Sequence, residues 1–246
     1  ALNYGYLLIN MITALTITVI VTIIYPKLTK SQAAGENEIF TESITKGMNI
    51  ILIISLPCSL GAMLYSNPVV QLVYERGAFD GASTELTAGA FFYYAIGLTF
   101  VAFNALQVKA YYAMEDMKTP VICGIIGAAV NISLNLLLVG PMAHRGLALA
   151  TSIAAIVNAL LLYYLMRRKY PKASPVIDRL KVVKIILAAL TAIGVSWLSY
   201  IGLLDGLDVN AIISLIVAVA CACVVYLIGL KVLRIEELSM LRDLIK

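Results

Sequence analysis

The chain has 246 residues, of which 61% are hydrophobic and 13% are charged. Its formal net charge is only +4, and the basic residues lie between long uncharged stretches, which excludes the concentrated basic surface of a nucleic-acid-binding protein. Long apolar stretches in such a chain indicate a polytopic membrane protein.

Seven uncharged stretches follow one another along the chain, and each is near or above the ~20 residues that a helix needs to cross a bilayer. Because the hydrocarbon core does not tolerate unpaired backbone polar groups, we predict that these stretches are helices. In chain order they are residues 1–26, 47–74, 86–108, 119–143, 146–166, 185–204 and 209–230. The predicted fold class is therefore all-α, a polytopic bundle of seven transmembrane helices.

Basic residues are concentrated on alternate connections between these stretches. Of the 18 Lys and Arg residues, 16 lie in four connections, which are residues 27–46, 109–118, 167–184 and 231–246. The other connections, residues 75–85, 144–145 and 205–208, hold the remaining two. Since basic connections stay on the cytoplasmic side of a membrane, this alternation predicts a cytoplasmic C-terminus and supports the count of seven spans.

The chain divides at its most basic connection. Residues 167–184 include Pro171 and Pro175, and we expect a boundary there between a five-helix core and a lipid-facing helix pair. The chain also opens inside a span at Ala1, with no leader sequence, so we expect it to be part of a longer polypeptide. The predicted parts are the five-helix core, 1–168, the basic linker, 169–184, and the two-helix appendage with its cytoplasmic tail, 185–246.

The first span carries a polar stripe. Polar side chains inside a membrane are costly, so they tend to face a cavity or each other. Asn3, Tyr6, Asn10 and Thr13 recur every three or four residues and therefore share one helix face. The stripe indicates a water-filled cavity, and hydrogen bonding between helices is the alternative.

A second polar set joins the fourth and fifth spans, which a turn of residues 141–146 makes antiparallel neighbours. Asn131 and Asn135 share a face, and Thr151 lies across the turn. At ~1.5 Å per residue, Asn135 and Thr151 both lie roughly 8–9 Å from the turn and can meet. Amide, hydroxyl and freed carbonyl oxygens are ligands for a small cation. The alternative interpretation is polar contact between tightly packed helices.

A third set lies at the end of the third span. Asn104, Gln107 and Tyr111 are spaced to share a face, and Lys109 lies nearby at the predicted cytoplasmic edge. A lysine in this place either extends to the membrane interface or contacts an anionic lipid head group.

Enzyme chemistry finds no support in the sequence. His144 is the single histidine, it lies in a turn, and no carboxylate lies within a span. No Ser/His/Asp set, metal-binding His/Cys cluster or phosphate-binding Gly loop is present. We therefore predict that the chain is not an enzyme and uses no cofactor other than, at most, Na⁺.

Several segments resemble the MurJ (MviN) lipid II flippases. Residues 74–79 read Tyr-Glu-Arg-Gly-Ala-Phe and are similar to the family's Y-x-R-G-A-F element, and residues 111–120 resemble its F-Y-A-L-x-D-x-K-T-P segment. Residues 146–152, the spacing of Asn131 and Asn135, and residues 25–28 at the end of the first span also match. The matches follow the family's order and cover essentially the whole chain.

The resemblance implies a fold of the multidrug/oligosaccharidyl-lipid/polysaccharide exporter superfamily, with fourteen helices in two lobes and a terminal pair. This chain would supply helices eight to fourteen, so that 1–168 is a partial second transport lobe and an N-terminal lobe is missing. The implied function is to move an undecaprenyl-diphosphate-linked peptidoglycan precursor across the bacterial cytoplasmic membrane by alternating access, which serves cell-wall synthesis and cell shape. The implied partners are this precursor, membrane lipids and the missing lobe.

The resemblance also implies sites. A sodium site falls on Asn131, Asn135, the Leu147 carbonyl and Thr151, and a groove for the lipid tail falls at the terminal helix pair. The family's cavity for the diphosphate sugar head falls on the polar residues of the first and third spans, which are Asn3, Tyr6, Asn10, Thr13, Asn104, Gln107 and Lys109.

The chain departs from the family's pattern at two positions. Asn135 is neutral where some members have Asp, and Leu7 stands where members commonly have Arg or Lys. Both departures weaken ion binding by this segment, so most anion binding would come from the other lobe. Two alternatives stay open: a related exporter of polysaccharide-lipids or drugs, and a non-transporting scaffold in cell-wall assembly.

Overall fold

The structure is a computed structural model that describes residues 1–77, 79–207, 210–233 and 235. Its described part contains eight α-helices and a short 3-10 turn, Pro171–Ala173. The helices are α1 (Leu2–Ala33), α2 (Asn37–Leu64), α3 (Ser66–Tyr74), α4 (Gly81–Ala113), α5 (Lys118–Met142), α6 (His144–Lys169), α7 (Arg179–Leu207) and α8 (Ala211–Val232). The predicted tail beyond residue 235 lies outside the described residues.

The all-α membrane bundle is confirmed. Six of the helices, α2 and α4 to α8, are long and apolar enough to cross a membrane. The remaining predicted span corresponds to α1, which has 32 residues, or ~48 Å of helix at ~1.5 Å per residue. The chain is therefore a multi-pass membrane protein, in which successive long helices run in opposite directions.

The prediction that the second span is one continuous helix is wrong. Residues 47–74 do not form one element, because α2 ends at Leu64 and a separate helix, α3, begins at Ser66. Pro68 explains the break, since it has no N–H to donate to the Leu64 carbonyl but fits the first turn of a new helix. By contrast, α1 continues through Pro26 to Ala33.

The basic linker is shorter than predicted. Both flanking helices extend into the charged segment, so the irregular connection is residues 170–178 instead of 169–184. Basic side chains in the last turn of α6 interact favourably with the helix dipole and support this extension. The linker crosses the start of α2, where Thr41 donates to the Lys172 carbonyl (2.9 Å) and Thr45 accepts from the Val176 N–H (3.0 Å).

Helix α4 lies at the centre of the bundle, in contact with α1, α2, α3 and α6, whereas α5 packs mainly on α6, and the α7–α8 pair packs on α2. We call the end holding the 34–36, 114–117 and 170–178 connections the basic end, and the other the opposite end. One hydrophobic core lies towards the basic end around Phe40, Leu106 and Tyr111. A second lies towards the opposite end around Phe91 and Leu98.

A close contact fixes α6 against α4. The Ser152 hydroxyl donates to the Tyr93 carbonyl (2.6 Å) and accepts from the Gly97 N–H (3.1 Å). A Cβ at position 97 would lie 2.8 Å from the Ser152 Cα, so only glycine allows this approach. Ser152 follows Thr151 directly, and this contact therefore sets the height and rotation of the second polar set.

A buried carboxylate ties the α4–α5 connection to the end of α6. Asp116 accepts hydrogen bonds from Lys169 Nζ (2.7 Å), Thr119 Oγ1 (2.6 Å) and the Tyr170 hydroxyl (3.1 Å). Burial alone raises the pKa of Asp116, but the hydrogen bonds from Lys169, Thr119 and Tyr170 outweigh it and hold that pKa well below its usual range. The carboxylate is therefore charged at all physiological pH values.

Candidate functional site

The polar stripe of α1 is mostly exposed. Asn3, Tyr6 and Asn10 lie on an open face of the helix, whereas Thr13 is buried and donates to the Ile9 carbonyl of its own helix at 2.5 Å. The other face of α1 packs on α4, where a Cβ on Gly5 would lie 3.1 Å from the Phe91 nitrogen. Three of the four predicted residues thus form a polar face, and the fourth satisfies its hydroxyl locally.

A cavity of about 780 Å³ continues this face towards the basic end, between α1 and α4. Lys109 lies in its wall with Nζ 5.4 Å from the centre of the Tyr25 ring and 5.9 Å from that of Tyr112. Both distances suit cation–π contacts, which hold the ammonium at the cavity surface. Asn104 also lines the cavity, and its amide donates to the Ala155 carbonyl at 3.1 Å.

The third polar set is divided between the cavity and the packed core. Gln107 is 1% exposed and does not line the cavity, and the Tyr111 hydroxyl donates to the Leu162 carbonyl of α6 at 2.8 Å. The division follows from helix geometry, because Gln107 and Lys109 are two residues apart and so point about 200° apart around α4. The structure therefore brings Asn104 and Lys109 together and places Gln107 between helices.

The second polar set forms one chain of hydrogen bonds. Asn135 Nδ2 donates to Asn131 Oδ1 (3.0 Å), Asn131 Nδ2 donates to Thr151 Oγ1 (3.3 Å), and the Thr151 hydroxyl donates to the Leu147 carbonyl (3.0 Å). Asn135 Oδ1 is buried and has no hydrogen-bond partner in the described part of the chain. All four predicted residues are thus adjacent, and one amide oxygen is left to accept.

Thr151 contacts Asn131 instead of the expected Asn135. The reason is where α5 and α6 meet: a Cβ on Gly146 would lie 2.5 Å from the Leu138 carbonyl oxygen. Because α5 and α6 are antiparallel, five residues beyond this contact Thr151 on α6 lies beside position 133 on α5. Position 133 is midway between Asn131 and Asn135. The depths predicted from the sequence were counted from the ends of a turn at residues 141–146. In the structure the turn is reduced to Ala143, with φ of +48°, so that estimate is offset along the helices.

An apolar cavity of about 350 Å³ lies where the α7–α8 pair packs on α2, and sequence reasoning did not identify its residues. Small side chains on three helices make room for it, and its lining includes Pro57, Gly61, Ala192, Leu215, Val219 and Tyr226. Small residues at facing positions, together with a proline inside α2, were the signal in the sequence that could have located it.

Comparisons with known proteins agree with one another. The family model described as "Lipid II flippase MurJ" matches residues 1–217. The chain is 33% identical over 211 residues to the probable lipid II flippase MurJ of Thermotoga maritima, covering 86% of this chain and 41% of that protein. It is 32% identical over 187 residues to the probable lipid II flippase MurJ of Rhizobium meliloti, covering 74% and 35%.

A solved structure of lipid II flippase MurJ in an inward closed conformation has the same fold. It matches with a TM-score of 0.81 and 25% sequence identity, and the match covers 100% of this chain and 47% of that one. The chain therefore spans less than half the length of these relatives.

Proposed function

This chain belongs to the MurJ family of lipid II flippases, and from that premise we propose that it forms the second lobe and terminal helix pair of such a flippase. The whole protein moves an undecaprenyl-diphosphate-linked peptidoglycan precursor from the inner to the outer leaflet of the bacterial cytoplasmic membrane. It is a transporter that works by alternating access, in which this lobe rocks against another helical lobe around a shared cavity.

The observation that carries this proposal is the polar face of α1 that leads to a cation. Asn3, Tyr6 and Asn10 are exposed towards the opposite end, and Lys109 lies in the cavity towards the basic end. A diphosphate head group crossing a membrane needs polar contacts along its path and a cation at its charged atoms. With Leu7 beside this face, further cations for the diphosphate come from the other lobe.

In this proposal the basic end faces the cytoplasm. The basic connections at residues 27–46, 109–118 and 167–184 then lie beside anionic lipid head groups, as in other membrane proteins. Lys109 is near the cytoplasmic mouth of the cavity, where the precursor enters from the inner leaflet.

We also propose that the hydrogen-bonded set on α5 and α6 holds a sodium ion. Asn131, Asn135, Thr151 and the Leu147 carbonyl all offer oxygen, the ligand type that hard cations prefer. The buried Asn135 Oδ1, which has no partner among the described residues, is the atom that such an ion would satisfy. Because these oxygens are neutral, a carboxylate from another helix is needed for tight binding.

The apolar cavity between α2 and the α7–α8 pair fits the lipid tail. Its lining is almost wholly hydrocarbon, and it lies at helices that are exposed on their other side through side chains such as Leu187, Leu198 and Ile216. A hydrocarbon chain in this cavity keeps its attachment to the bilayer while the polar head crosses the protein.

A chimera tests the proposed function. This chain replaces the matching segment of the Thermotoga maritima relative, and the chimera is produced in a bacterium depleted of its own flippase. We expect restored growth and normal cell shape. A chimera with Lys109→Ala should restore growth poorly, whereas Lys118→Ala, at an exposed position at the start of α5, should behave like the parent chimera.

The result is read together with the amount of protein in the membrane. A chimera that reaches the membrane at the level of the Thermotoga relative, yet leaves lipid II on the inner leaflet, contradicts the proposal. Restored growth without any lipid II movement contradicts it too, and favours a scaffolding role.

A further inference from the structure

A proline in the middle of α2 leaves a backbone carbonyl without its usual partner. In an uninterrupted helix the Ile53 carbonyl accepts from the N–H of residue 57, but residue 57 is proline and has no N–H. Ile53 is 2% exposed and lies within a predicted membrane span, so water does not replace the missing donor. Some other group has to satisfy this carbonyl.

The group is the hydroxyl of Tyr226. Tyr226 lies on α8, 173 positions away in the sequence, and its hydroxyl donates to the Ile53 carbonyl at 2.7 Å. The tyrosine is 8% exposed, so the hydrogen bond is shielded from water. The terminal helix pair is thus hydrogen-bonded to α2 at the Ile53 carbonyl, the acceptor that Pro57 leaves without an N–H partner.

A second tyrosine, Tyr65, links α2 to the α7–α8 pair nearer the opposite end of the bundle. The Ser196 hydroxyl donates to the Ala218 carbonyl (2.8 Å), which uses its only proton, so the Tyr65 hydroxyl donates to Ser196 Oγ (2.6 Å). Tyr65 is the C-cap residue of α2, directly after Leu64. Both hydrogen bonds therefore lie where α2 departs from an uninterrupted helix of N–H donors, one at the carbonyl released by its internal proline and one at its C-cap.

These residues also form the apolar cavity. Pro57, Tyr65, Ser196 and Tyr226 all line it, although the rest of its surface is apolar. The position of the α7–α8 pair against α2 consequently determines the cavity's width. The Tyr226 contact, which joins α8 to α2 in the cavity wall, contributes to that position.

We propose that Tyr226 is a positioning residue that satisfies the Ile53 carbonyl left without a donor by Pro57, fixes α8 against α2 at that point, and thereby keeps the apolar cavity in the shape that receives a long hydrocarbon chain. The chain-binding part rests on the proposed function, whereas the hydrogen bond does not. By linkage, an occupant that fits this arrangement of the helices stabilises it, and loss of the hydrogen bond weakens binding of that occupant.

Hydrogen exchange of α2 tests the first part. The full-length protein is placed in lipid nanodiscs, and amide exchange is measured for residues 58–62, which follow Pro57 on α2. Tyr226→Phe keeps the ring and removes only the donor, so we expect exchange to rise roughly three- to eighteenfold, the factors that correspond to the average and the largest strengths measured for interhelical hydrogen bonds in membranes. Tyr200→Phe is the matched control, since the described part of the chain shows no hydrogen bond from that hydroxyl.

Pro57→Ala supplies the test of mechanism. It restores an N–H that can donate to the Ile53 carbonyl, so Tyr226→Phe should have no further effect on exchange in the Pro57→Ala background. Equal exchange in wild type and Tyr226→Phe overturns the proposal. An effect of Tyr226→Phe that is as large in the Pro57→Ala background as in the wild-type background also overturns it, because the hydroxyl would then act elsewhere.

Undecaprenyl phosphate is the probe for the occupant. Undecaprenyl phosphate should slow amide exchange of residues 58–62 in the wild type. The concentration of undecaprenyl phosphate that gives half of the maximal slowing should be roughly threefold higher in Tyr226→Phe. Equal concentrations in both proteins overturn the coupling. No protection of the wild type overturns it as well, and that result is distinct from failure of the proposed function, which the chimera measures through growth and lipid II movement.

Discussion

Replacing Asp116 by asparagine should loosen the connection between α4, α5 and α6. The carboxylate is 7% exposed and accepts from Lys169, Tyr170, and both the hydroxyl and the N–H of Thr119. Asparagine retains one acceptor oxygen but turns an NH₂ group towards these donors. Thr119 N–H bonds to Oδ1 and the other three donors bond to Oδ2, so whichever oxygen the NH₂ group replaces, at least one donor is left without an acceptor. The hydrogen bonds that remain lose their charged acceptor.

The size of the effect follows from those contacts. A hydrogen bond to a charged group contributes about 1.5–3 kcal/mol, and neighbouring losses are not additive, so we expect a loss of about 3 kcal/mol from the Thr119 and Tyr170 contacts. The attraction to Lys169 is not included, because its side chain is 53% exposed and its charge is screened by water. For a chain of this size, about 3 kcal/mol lowers the melting temperature by about 6–12 °C.

Thermal unfolding in detergent between pH 5 and 8 is the assay. The folded-state pKa of Asp116 lies below its unfolded value of ~3.9, so its stabilisation is fully present above that value and is lost as the pH falls through the folded-state pKa. The deficit of Asp116→Asn should therefore be constant from pH 5 to 8. Glu115→Gln, at an exposed neighbouring carboxylate, is the control. Equal melting temperatures for the two variants, or a deficit that changes between pH 6 and 8, would refute this reasoning.

Three further predictions concern packing, sodium and transport. Gly97→Ala forces a Cβ to 2.8 Å from the backbone of α6 and should cost about 1–3 kcal/mol in thermal unfolding, whereas Gly124→Ala meets nothing within 4 Å; similar melting temperatures for both would contradict the close contact. Asn135→Ala should reduce the rise in melting temperature that sodium causes, and an unchanged sodium response would remove the proposed ion site. Lys109→Gln should slow lipid II movement in proteoliposomes at least several-fold while lowering the melting temperature by no more than about 4 °C, the effect of losing its cation–π contacts, and an unaltered rate would exclude Lys109 from the pathway.

The helices and the alternation of apolar spans with charged connections could be predicted from the sequence, because a bilayer permits few backbone structures. An uncharged stretch of about 20 residues has to satisfy its backbone internally, and each charged connection marks a side. The same rule does not locate breaks within a span. Pro26 and Pro57 lie inside continuous helices, whereas Pro68 follows a break, so the presence of a proline does not by itself locate the end of a helix.

The candidate sites were predicted in part, for a related reason. Helical spacing identified the exposed residues Asn3, Tyr6 and Asn10, because residues three or four apart share a face. It did not show that Gln107 points into the packed core, or that Thr151 meets Asn131, since these outcomes depend on how neighbouring helices cross.

Helical periodicity could not predict the hydrogen bond between the Tyr226 hydroxyl and the Ile53 carbonyl. This hydrogen bond connects positions 173 residues apart, and only the released carbonyl at Pro57 gave a local signal that a partner was needed.

Direct measurement of lipid II movement tests the central claim. In bacteria depleted of their own flippase, the chimera of this chain and the Thermotoga maritima relative is produced, and an enzyme that cleaves lipid II is added outside the cells. The account predicts that lipid II becomes accessible to this enzyme, and that accessibility falls with Lys109→Gln. Lipid II that stays protected, while the protein is present in the membrane at normal levels, would contradict the account.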